Sequence, residues 1–420
     1  MVYEPREDSQ LLLNTVLKHL TSFLKIKNLK ILDLGTGSGF IAVNLCLELI
    51  KKGKQDFSIT ATDINVEALK SLKKSLKKHE ELQRKIKILK SDLFKNIKTR
   101  FDLILFNAPY LPRGVPSFEQ NSDYETIGGK HGYETIIRFL TNVSDFLTSK
   151  GSCFLVYSSL SKPHIIKEYA KKQLLKLSVE SQKKLFFETI FVAKIEKTRL
   201  LQELQDHGFK SIQYLTQGKH SFVYKAVLGK QEVVVKVAKP GFKGNVKKEC
   251  SLLKRLSKHG FVPRVYDCKN NWVAMQFIKG LTIHELLSQA LQSGKTDQMM
   301  LRNKIVRVLK HCLKNCYLLD VEGLTKQEMH RPQKHIIIKN GDCFFIDFER
   351  CFEAEKPKNV TQFCQYLMSD FALQALSRIG LKINKESLIK LCKQYKKSVG
   401  KLKKQTFNKI LKTITTSSDT

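Results

Sequence analysis

The residues able to do chemistry fall into two groups. In the first, Asp33-Leu34-Gly35-Thr36-Gly37-Ser38-Gly39 follows the apolar run Lys30-Ile31-Leu32 and precedes a helical stretch, Phe40 to Leu49. Glycines placed there permit a sharp turn and a close approach of backbone N–H groups to a ligand, while Asp33 can accept from a cationic amino group. By itself the Gly-x-Gly-x-Gly spacing fits NAD as readily as other nucleotides. Asp63, about one βαβ step later, is placed to accept both hydroxyls of a ribose, and Asp92, in Ser91-Asp92-Leu93-Phe94, is the candidate for an adenine amino group. A fourth apolar run ends in Asn107-Ala108-Pro109-Tyr110. A carboxamide nitrogen is a poor nucleophile because its lone pair is delocalised, so a site that alkylates one must hold both its hydrogens and aim the nitrogen. Asn107 Oδ1 and the Ala108 carbonyl can accept those hydrogens, Tyr110 can stack on a planar amide, and Pro109 stiffens the elbow. Asp33, Gly35, Thr36, Gly37, Gly39, Asp63, Asp92 and Asn107 thus form a cofactor side, and Asn107, Pro109 and Tyr110 an acceptor side. The alternative for the tetrapeptide is an ordinary strand-to-loop turn.

The second group lies past residue 210. Gln217-Gly218-Lys219-His220-Ser221 is a loop inside a hairpin, and the strand Val233-Val234-Val235-Lys236-Val237 buries a lysine among valines, which is costly without a partner. Glu249, in a helix-like run, can supply that partner and so form the Lys/Glu pair that grips ATP phosphates in kinases. Met275-Gln276-Phe277-Ile278-Lys279-Gly280 has the character of a hinge, and Phe345-Ile346-Asp347-Phe348-Glu349 places an aspartate where magnesium would be held. Taken singly, a mid-strand lysine can snorkel and an aspartate after an apolar strand can cap a turn.

The first group needs parallel strands that end at one edge. Such strands are predicted at 30–34, 58–63, 86–89, 102–106 and 152–156, with a helix over Val66 to Leu82 and a last strand over Phe186 to Ala193. Lys194 to Lys197 reads as a linker, after which hairpins replace the alternation. The organisation expected is an α/β domain over 1–197, a second α+β domain over 198–414 and a disordered tail over 415–420. Ser387 to Leu402 predicts a helix with Leu388, Leu391, Tyr395, Val399 and Leu402 on one face.

Across 420 residues, 74 Lys and Arg oppose 39 Asp and Glu, a net charge of +35. Such a field fits phosphate backbones, with a solvated lysine coat as the alternative. Lys382 to Lys412 holds eleven lysines against Glu386 alone, which reads either as a nucleic-acid surface or as an ordinary surface helix. The ten cysteines show no Cys-x-x-Cys pair and no dense framework, so free thiols in a reducing cytoplasm are expected; Cys312 and Cys316 are predicted as buried thiols, without zinc. A charged N-terminus and the lack of a long uncharged apolar window predict neither secretion nor a membrane span.

From Tyr3-Glu4-Pro5-Arg6-Glu7-Asp8-Ser9 to about residue 197 the chain resembles the HemK/PrmC group of S-adenosylmethionine-dependent glutamine N5-methyltransferases, in its short archaeal and eukaryotic branch. Gly128-Gly129-Lys130-His131-Gly132 and Phe186-Phe187-Glu188 carry the same resemblance, while Ala108 departs from the group's Asn-Pro-Pro-Tyr. The landmarks Gly218, Lys236, Glu249 and Asp347 resemble RIO-like atypical kinases of archaea. The resemblance implies a class I (Rossmann-like) methyltransferase followed by an α+β protein-kinase-like domain. Its implied cofactors are S-adenosylmethionine, ATP and magnesium. The implied acceptor is the Gly-Gly-Gln loop of a class I release factor, and the implied partner a small zinc-binding activator subunit, with rRNA, tRNA or the ribosome as further partners. Several things depart from the kinase pattern: the glycine-rich loop has only Gly218, Asp347-Phe348-Glu349 lacks a final glycine, and, counting back from Ile336, His330 stands at the place of the base aspartate and His335 at that of the metal-binding asparagine. Two alternatives stand beside this: a methyltransferase of nucleobase amino groups, and a ribosome- or tRNA-associated scaffold with an inactive kinase domain.

Overall fold

The computed structural model describes residues 6–114, 126–292 and 298–415. The Tyr3-Glu4-Pro5 part of the opening motif and residues 416–420 of the expected tail lie outside them. The chain divides into two compact units, one running to Tyr214 and including Val227–Gly229, the other comprising Leu215–Ala226 and the chain from Lys230 onward.

In the first unit α1 (Glu7–Lys18) precedes β1 (Leu29–Leu34), α2 (Phe40–Lys51), β2 (Phe57–Asp63), α3 (Val66–Leu76), β3 (Ile86–Lys90) and β4 (Phe101–Asn107). After them come α4 (Glu134–Phe146), β5 (Leu147–Ser158), α5 (Pro163–Lys172), β6 (Leu175–Lys184) and β7 (Thr189–Lys197). The sheet order is β3-β2-β1-β4-β5-β7-β6. β1 to β5 run parallel, and β7 is antiparallel to both its neighbours. Because the chain steps from β1 to β2 and β3 and then returns to β4 on the other side of β1, the loops after β1 and β4 diverge and leave a crevice at the carboxyl ends. Leu12 and Val16 of α1, Leu45 and Leu49 of α2 and Leu72 of α3 are fully buried in one cluster with Ile59 and Leu103, which fixes these helices on the sheet.

Several predicted elements differ. The helix from Val66 stops at Leu76, and a separate short helix, Glu80–Lys85, follows. The last strand starts at Thr189 rather than Phe186, and Phe186 and Phe187 before it are 93% and 66% exposed, an edge-to-face pair. Lys194 to Lys197 is not a linker but the end of that strand. Lys197 is buried, donating to the Leu147 carbonyl at 2.8 Å and to Gln205 Oε1 at 2.6 Å, and burial pulls its ammonium down to about 8. β6 was unforeseen because an edge strand needs little apolar surface, and its sequence Leu-Lys-Leu-Ser-Val-Glu-Ser-Gln-Lys-Lys is correspondingly polar.

After a short helix, α6 (Arg199–Asp206), a five-stranded sheet has the order β8-β9-β10-β12-β11, with β8 Phe209–Gln217, β9 Ser221–Leu228, β10 Gln231–Ala238, β11 Val265–Cys268 and β12 Trp272–Gln276. α7 (Lys243–Leu256) lies against β10, β11 and β12. Cys250 of α7 and Cys268 of β11 are disulfide-bonded, where the sequence predicted free thiols; an 18-residue separation gives no spacing cue, and only the helix-on-sheet packing brings the two together. A helical lobe contains α8 (Ile283–Gln292), α9 (Gln298–Val321), α10 (Asn359–Leu367), α11 (Asp370–Arg378), α12 (Lys385–Lys397) and α13 (Gly400–Thr415). Cys312 and Cys316 of α9 are buried thiols, as expected. The predicted apolar face of the helix from Ser387 ends at Tyr395, whose hydroxyl donates to Asp320 Oδ2 at 2.9 Å. A break before Gly400 (φ 55°) leaves Val399 and Leu402 81% and 51% exposed. Among the described residues no helix is long and apolar enough to cross a membrane.

Candidate active site

A cavity of about 520 Å³ opens in the crevice of the first unit, lined by residues from four strand ends. Gly35, Gly37 and Gly39 all have left-handed φ (67°, 54° and 84°), which turns the chain from β1 into α2 at a radius a side-chain-bearing residue would resist. Asp63 stands at the end of β2 and fastens this turn, its two oxygens accepting Gly37 N–H and Asn65 N–H, each at 2.8 Å. It lines the cavity, as do Gly35, Thr36, Gly37 and Asp92. Asp92 is paired with Arg138 of α4 at 2.8 Å and is partly exposed, so its carboxylate is held at the rim. Asp33 does not line the cavity. It lies beneath the turn, 1% exposed, accepting the Thr36 hydroxyl at 2.6 Å; burial, opposed by that bond, raises its carboxyl from the ordinary 3.8 to about 6. Gly39 also lies off the cavity, where a Cβ would meet the Leu72 side chain.

On the other side of the crevice β4 delivers Asn107, Pro109 and Tyr110, all of which line the same cavity. The Asn107 amide nitrogen donates to Ser9 Oγ at 3.2 Å, which fixes its rotation. Its Oδ1 is buried and has no hydrogen-bond partner. An orphaned acceptor at a cavity wall is costly unless a ligand supplies the donor. Tyr110 is held at both ends: its hydroxyl donates to Asp8 Oδ2 at 3.2 Å, and its carbonyl accepts the Ser161 hydroxyl at 3.0 Å. Behind the elbow lies the loop Gly128–Gly132. A Cβ on Gly128 would stand 2.4 Å from the Pro109 carbonyl oxygen, and one on Gly132 would meet the Tyr110 carbonyl oxygen. Only glycine lets these two stretches of backbone pack so closely, which is the physical content of that motif.

Within the second unit, Lys236 Nζ donates to Glu249 Oε1 and Oε2 at 2.9 and 3.1 Å and to Asp347 Oδ1 at 3.0 Å. Burial opposes the lysine's charge, but the two carboxylates outweigh it and hold Lys236 protonated. Burial raises Glu249, whereas Lys236 and Lys326 overcome burial at Asp347 and keep its carboxyl well below the usual range. Glu249 also accepts Phe348 N–H at 2.9 Å, so helix α7 and the Asp347-Phe348 segment are tied together. Gly218 begins a tight loop, its N–H donating to the Ser221 carbonyl at 2.9 Å; the Ser221 hydroxyl donates to Glu349. His335 lies with Nε2 3.3 Å from Glu328 and Nδ1 3.7 Å from Asp347. Burial and the Lys326 charge push its imidazole below its ordinary value. Among the described residues His330 forms no hydrogen bond or ion pair.

Comparison with known proteins gives a match for each half of the chain. A model of the family described as Methyltransferase small domain matches residues 7–184, and one described as RIO domain matches residues 192–372. The protein named "Putative protein N5-glutamine methyltransferase" of Methanocaldococcus jannaschii is 32% identical over 192 residues, 46% of this chain and 89% of that protein. The chain belongs to the protein N5-glutamine methyltransferase family. Its C-terminal half carries an RIO domain. The release factor glutamine methyltransferase of Streptococcus pneumoniae is 32% identical over 157 residues, and the chain spans 52% of its length. The E. cuniculi Mtq2–Trm112 complex, described as responsible for methylation of the eRF1 translation termination factor, is similar over 47% of this chain and 99% of that chain, with 25% identity and a TM-score of 0.35.

For a member of this methyltransferase family the residues that sequence reasoning passed over are instructive. Asp8 and Ser9 line the cavity from the first turn of α1, about a hundred positions from the partners they hold. Their signal was present in the opening motif, but nothing in the spacing says that α1 crosses the crevice. In the RIO domain, Lys326 was missed: it is 2% exposed and donates to the Asp347 carbonyl at 2.6 Å. Its neighbours in sequence are polar, and no pattern marks it as buried.

Proposed function

We propose that the first unit methylates the side-chain amide nitrogen of a protein glutamine, and that the second unit binds ATP. The observation that carries the first reading is the buried, unpartnered Asn107 Oδ1 at the cavity wall, in the same cavity as the Gly35-Thr36-Gly37 turn. Asp63 would hold ribose hydroxyls, the Gly35-Thr36-Gly37 turn the amino-acid end, and Asp92 the adenine edge; S-adenosylmethionine supplies an electrophilic methyl group when bound there. The residues fit that group, since the turn's backbone and two cavity-lining carboxylates offer the donors and acceptors a nucleoside with an amino-acid tail requires. Asn107 Oδ1 accepts one hydrogen of the incoming amide, and the Ala108 carbonyl is assigned the other. With both hydrogens held, the nitrogen would be aimed, and positive charge gathering on its N–H groups would be stabilised by the oxygens that accept them. Ser9 prevents Asn107 from turning its own NH₂ inward, and Asp8 with Ser161 keeps Tyr110 as a wall of the acceptor slot.

As acceptor we assign the Gly-Gly-Gln glutamine of a class I release factor, which places the work in the cytoplasm. The family resemblance extends the proposal to a small zinc-binding activator subunit, and the charge of +35 to a ribosomal RNA or tRNA surface. In the second unit Lys236, Glu249 and Gly218 are assigned to nucleotide phosphates and Asp347 to magnesium. The test is incubation with methyl-labelled S-adenosylmethionine and a purified release factor, alone and with its activator. One methyl group on the loop glutamine, mapped by mass spectrometry and lost with Asn107→Ala, is the expected result. Label in nucleic acid, with none in protein, overturns the glutamine reading in favour of a nucleobase acceptor.

A further inference from the structure

We propose that the second unit transfers phosphoryl groups to hydroxyl acceptors, with Glu328 as the residue that takes the acceptor's proton. This rests on the ATP-binding reading of the same unit and goes beyond it, because position 330, where sequence spacing places the proton acceptor, holds a histidine that among the described residues forms no hydrogen bond or ion pair with the cluster.

Glu328 is fixed by three independent features. Its backbone has φ 71°, in the left-handed region that a glutamate adopts only when its surroundings hold it there. One carboxylate oxygen pairs with Arg350, three residues beyond Asp347. The other lies 3.3 Å from His335 Nε2, and the far nitrogen of that same ring stands 3.7 Å from Asp347 Oδ2. A single imidazole therefore links Glu328 to the carboxylate that contacts Lys236. Its side chain is 38% exposed, leaving an acceptor access to it, whereas Glu249 is fully buried and engaged by Lys236 and Phe348 N–H. Glu349 is also engaged, by Ser221 and His220. Asp347, 40% exposed and in contact with Lys236, is the carboxylate assigned to magnesium; of the remaining carboxylates of this cluster, Glu328 combines a fixed position with a partly exposed side chain.

In the step assigned to it, the acceptor hydroxyl gives its proton to Glu328 as its oxygen bonds to the terminal phosphorus of ATP. The bond from that phosphorus to the bridging oxygen breaks, its electron pair leaving on ADP, and Glu328 later returns the proton to solvent. Because such transition states are loose, the base need only be near and oriented. His335 and Arg350 act as positioning residues for it.

The experiment uses the full chain with ATP and magnesium, following autophosphorylation and phosphate release. It also measures ATP affinity by calorimetry and the melting temperature. Glu328→Gln is expected to lower turnover at least a hundredfold while ATP affinity and melting temperature stay at the wild-type values, and Glu328→Asp, which keeps the carboxylate and tolerates the left-handed backbone, to recover part of the rate. Parallel loss of ATP affinity and melting temperature in Glu328→Gln would make the residue structural and overturn the proposal. So would wild-type turnover no faster than that of Lys236→Met, or loss of turnover in His330→Ala with retention in Glu328→Gln. Absence of ATP binding by the wild-type chain would instead remove the underlying reading.

Discussion

Replacing Gly128 by alanine tests whether the tetrapeptide elbow does its work by position. The new Cβ would lie 2.4 Å from both the Pro109 and the Gly132 carbonyl oxygens, whereas Cβ contacts under 3.0 Å essentially never occur, so the elbow or the loop must retreat by at least 3.0 − 2.4 = 0.6 Å. Both clashing atoms are backbone, so no side-chain rotation can relieve the contact. A displacement of about 1 Å at a reacting centre costs roughly a hundredfold in rate. On that scale 0.6 Å corresponds to a fall in kcat of between about tenfold and a hundredfold. The overpacking should also cost about 1–3 kcal/mol of stability, so turnover must be measured well below the melting transition. Affinity for S-adenosylmethionine should change little, because Asp63 and the Gly35–Gly39 turn belong to β1 and β2, on the other side of the crevice. Methyl transfer with saturating cofactor, paired with calorimetric titration of the cofactor, reads both quantities. A wild-type kcat would refute the positional argument. Equal losses in cofactor affinity and rate would show instead that the whole crevice had collapsed.

Asn107→Ala should lower methyl transfer by about a hundredfold, the typical cost of removing one preorganised transition-state contact, while calorimetry shows nearly unchanged cofactor affinity; Asp63→Ala should do the reverse, weakening the cofactor first. Asp33 provides a pH test: its folded-state carboxyl is raised from 3.8 to about 6, so the folded state binds the proton more tightly than the unfolded chain, and stability from this group falls as pH climbs from about 4 to about 6 and stays lost above. The difference corresponds to about 3 kcal/mol, so Asp33→Asn should melt higher than the wild type at pH 7 and show much less advantage at pH 4; a constant advantage would exclude Asp33 as the cause. Lys236→Met should abolish ATP binding measured by titration and, by leaving Glu249 buried without its cation, lower the melting temperature by several degrees; retained ATP affinity would remove Lys236 from the phosphate site.

Much of this protein is legible one residue type at a time. Parallel strands carry continuous apolar runs, so β1, β2, β3 and β4 are found within a residue or so of their ends, and the carboxyl ends of β2, β3 and β4 place Asp63, Asp92 and Asn107 at one edge. The Lys236–Glu249 pair is predictable for a similar reason, since a lysine among valines must find an anion. Other features have no local signature, because they depend on which segments meet. The edge strand β6 is polar, Lys197 is buried although its neighbours read as a linker, and the Cys250–Cys268 disulfide joins a helix to a strand. Most consequentially, the sequence places an asparagine at the cavity but cannot say which way its amide turns. That is decided by Ser9, 98 positions away, whose hydroxyl takes the NH₂ and leaves Oδ1 facing a site still lacking its donor. Likewise spacing alone points to His330 as the place of the base in the second unit, while the left-handed backbone at Glu328 and its contacts with Arg350 and His335, on which the Glu328 proposal rests, have no local signature. Sequence fixes which chemical groups are available at the ends of elements whose periodicity declares them; the pairing of distant side chains, set by packing, decides which of their atoms are occupied and which remain open to a substrate.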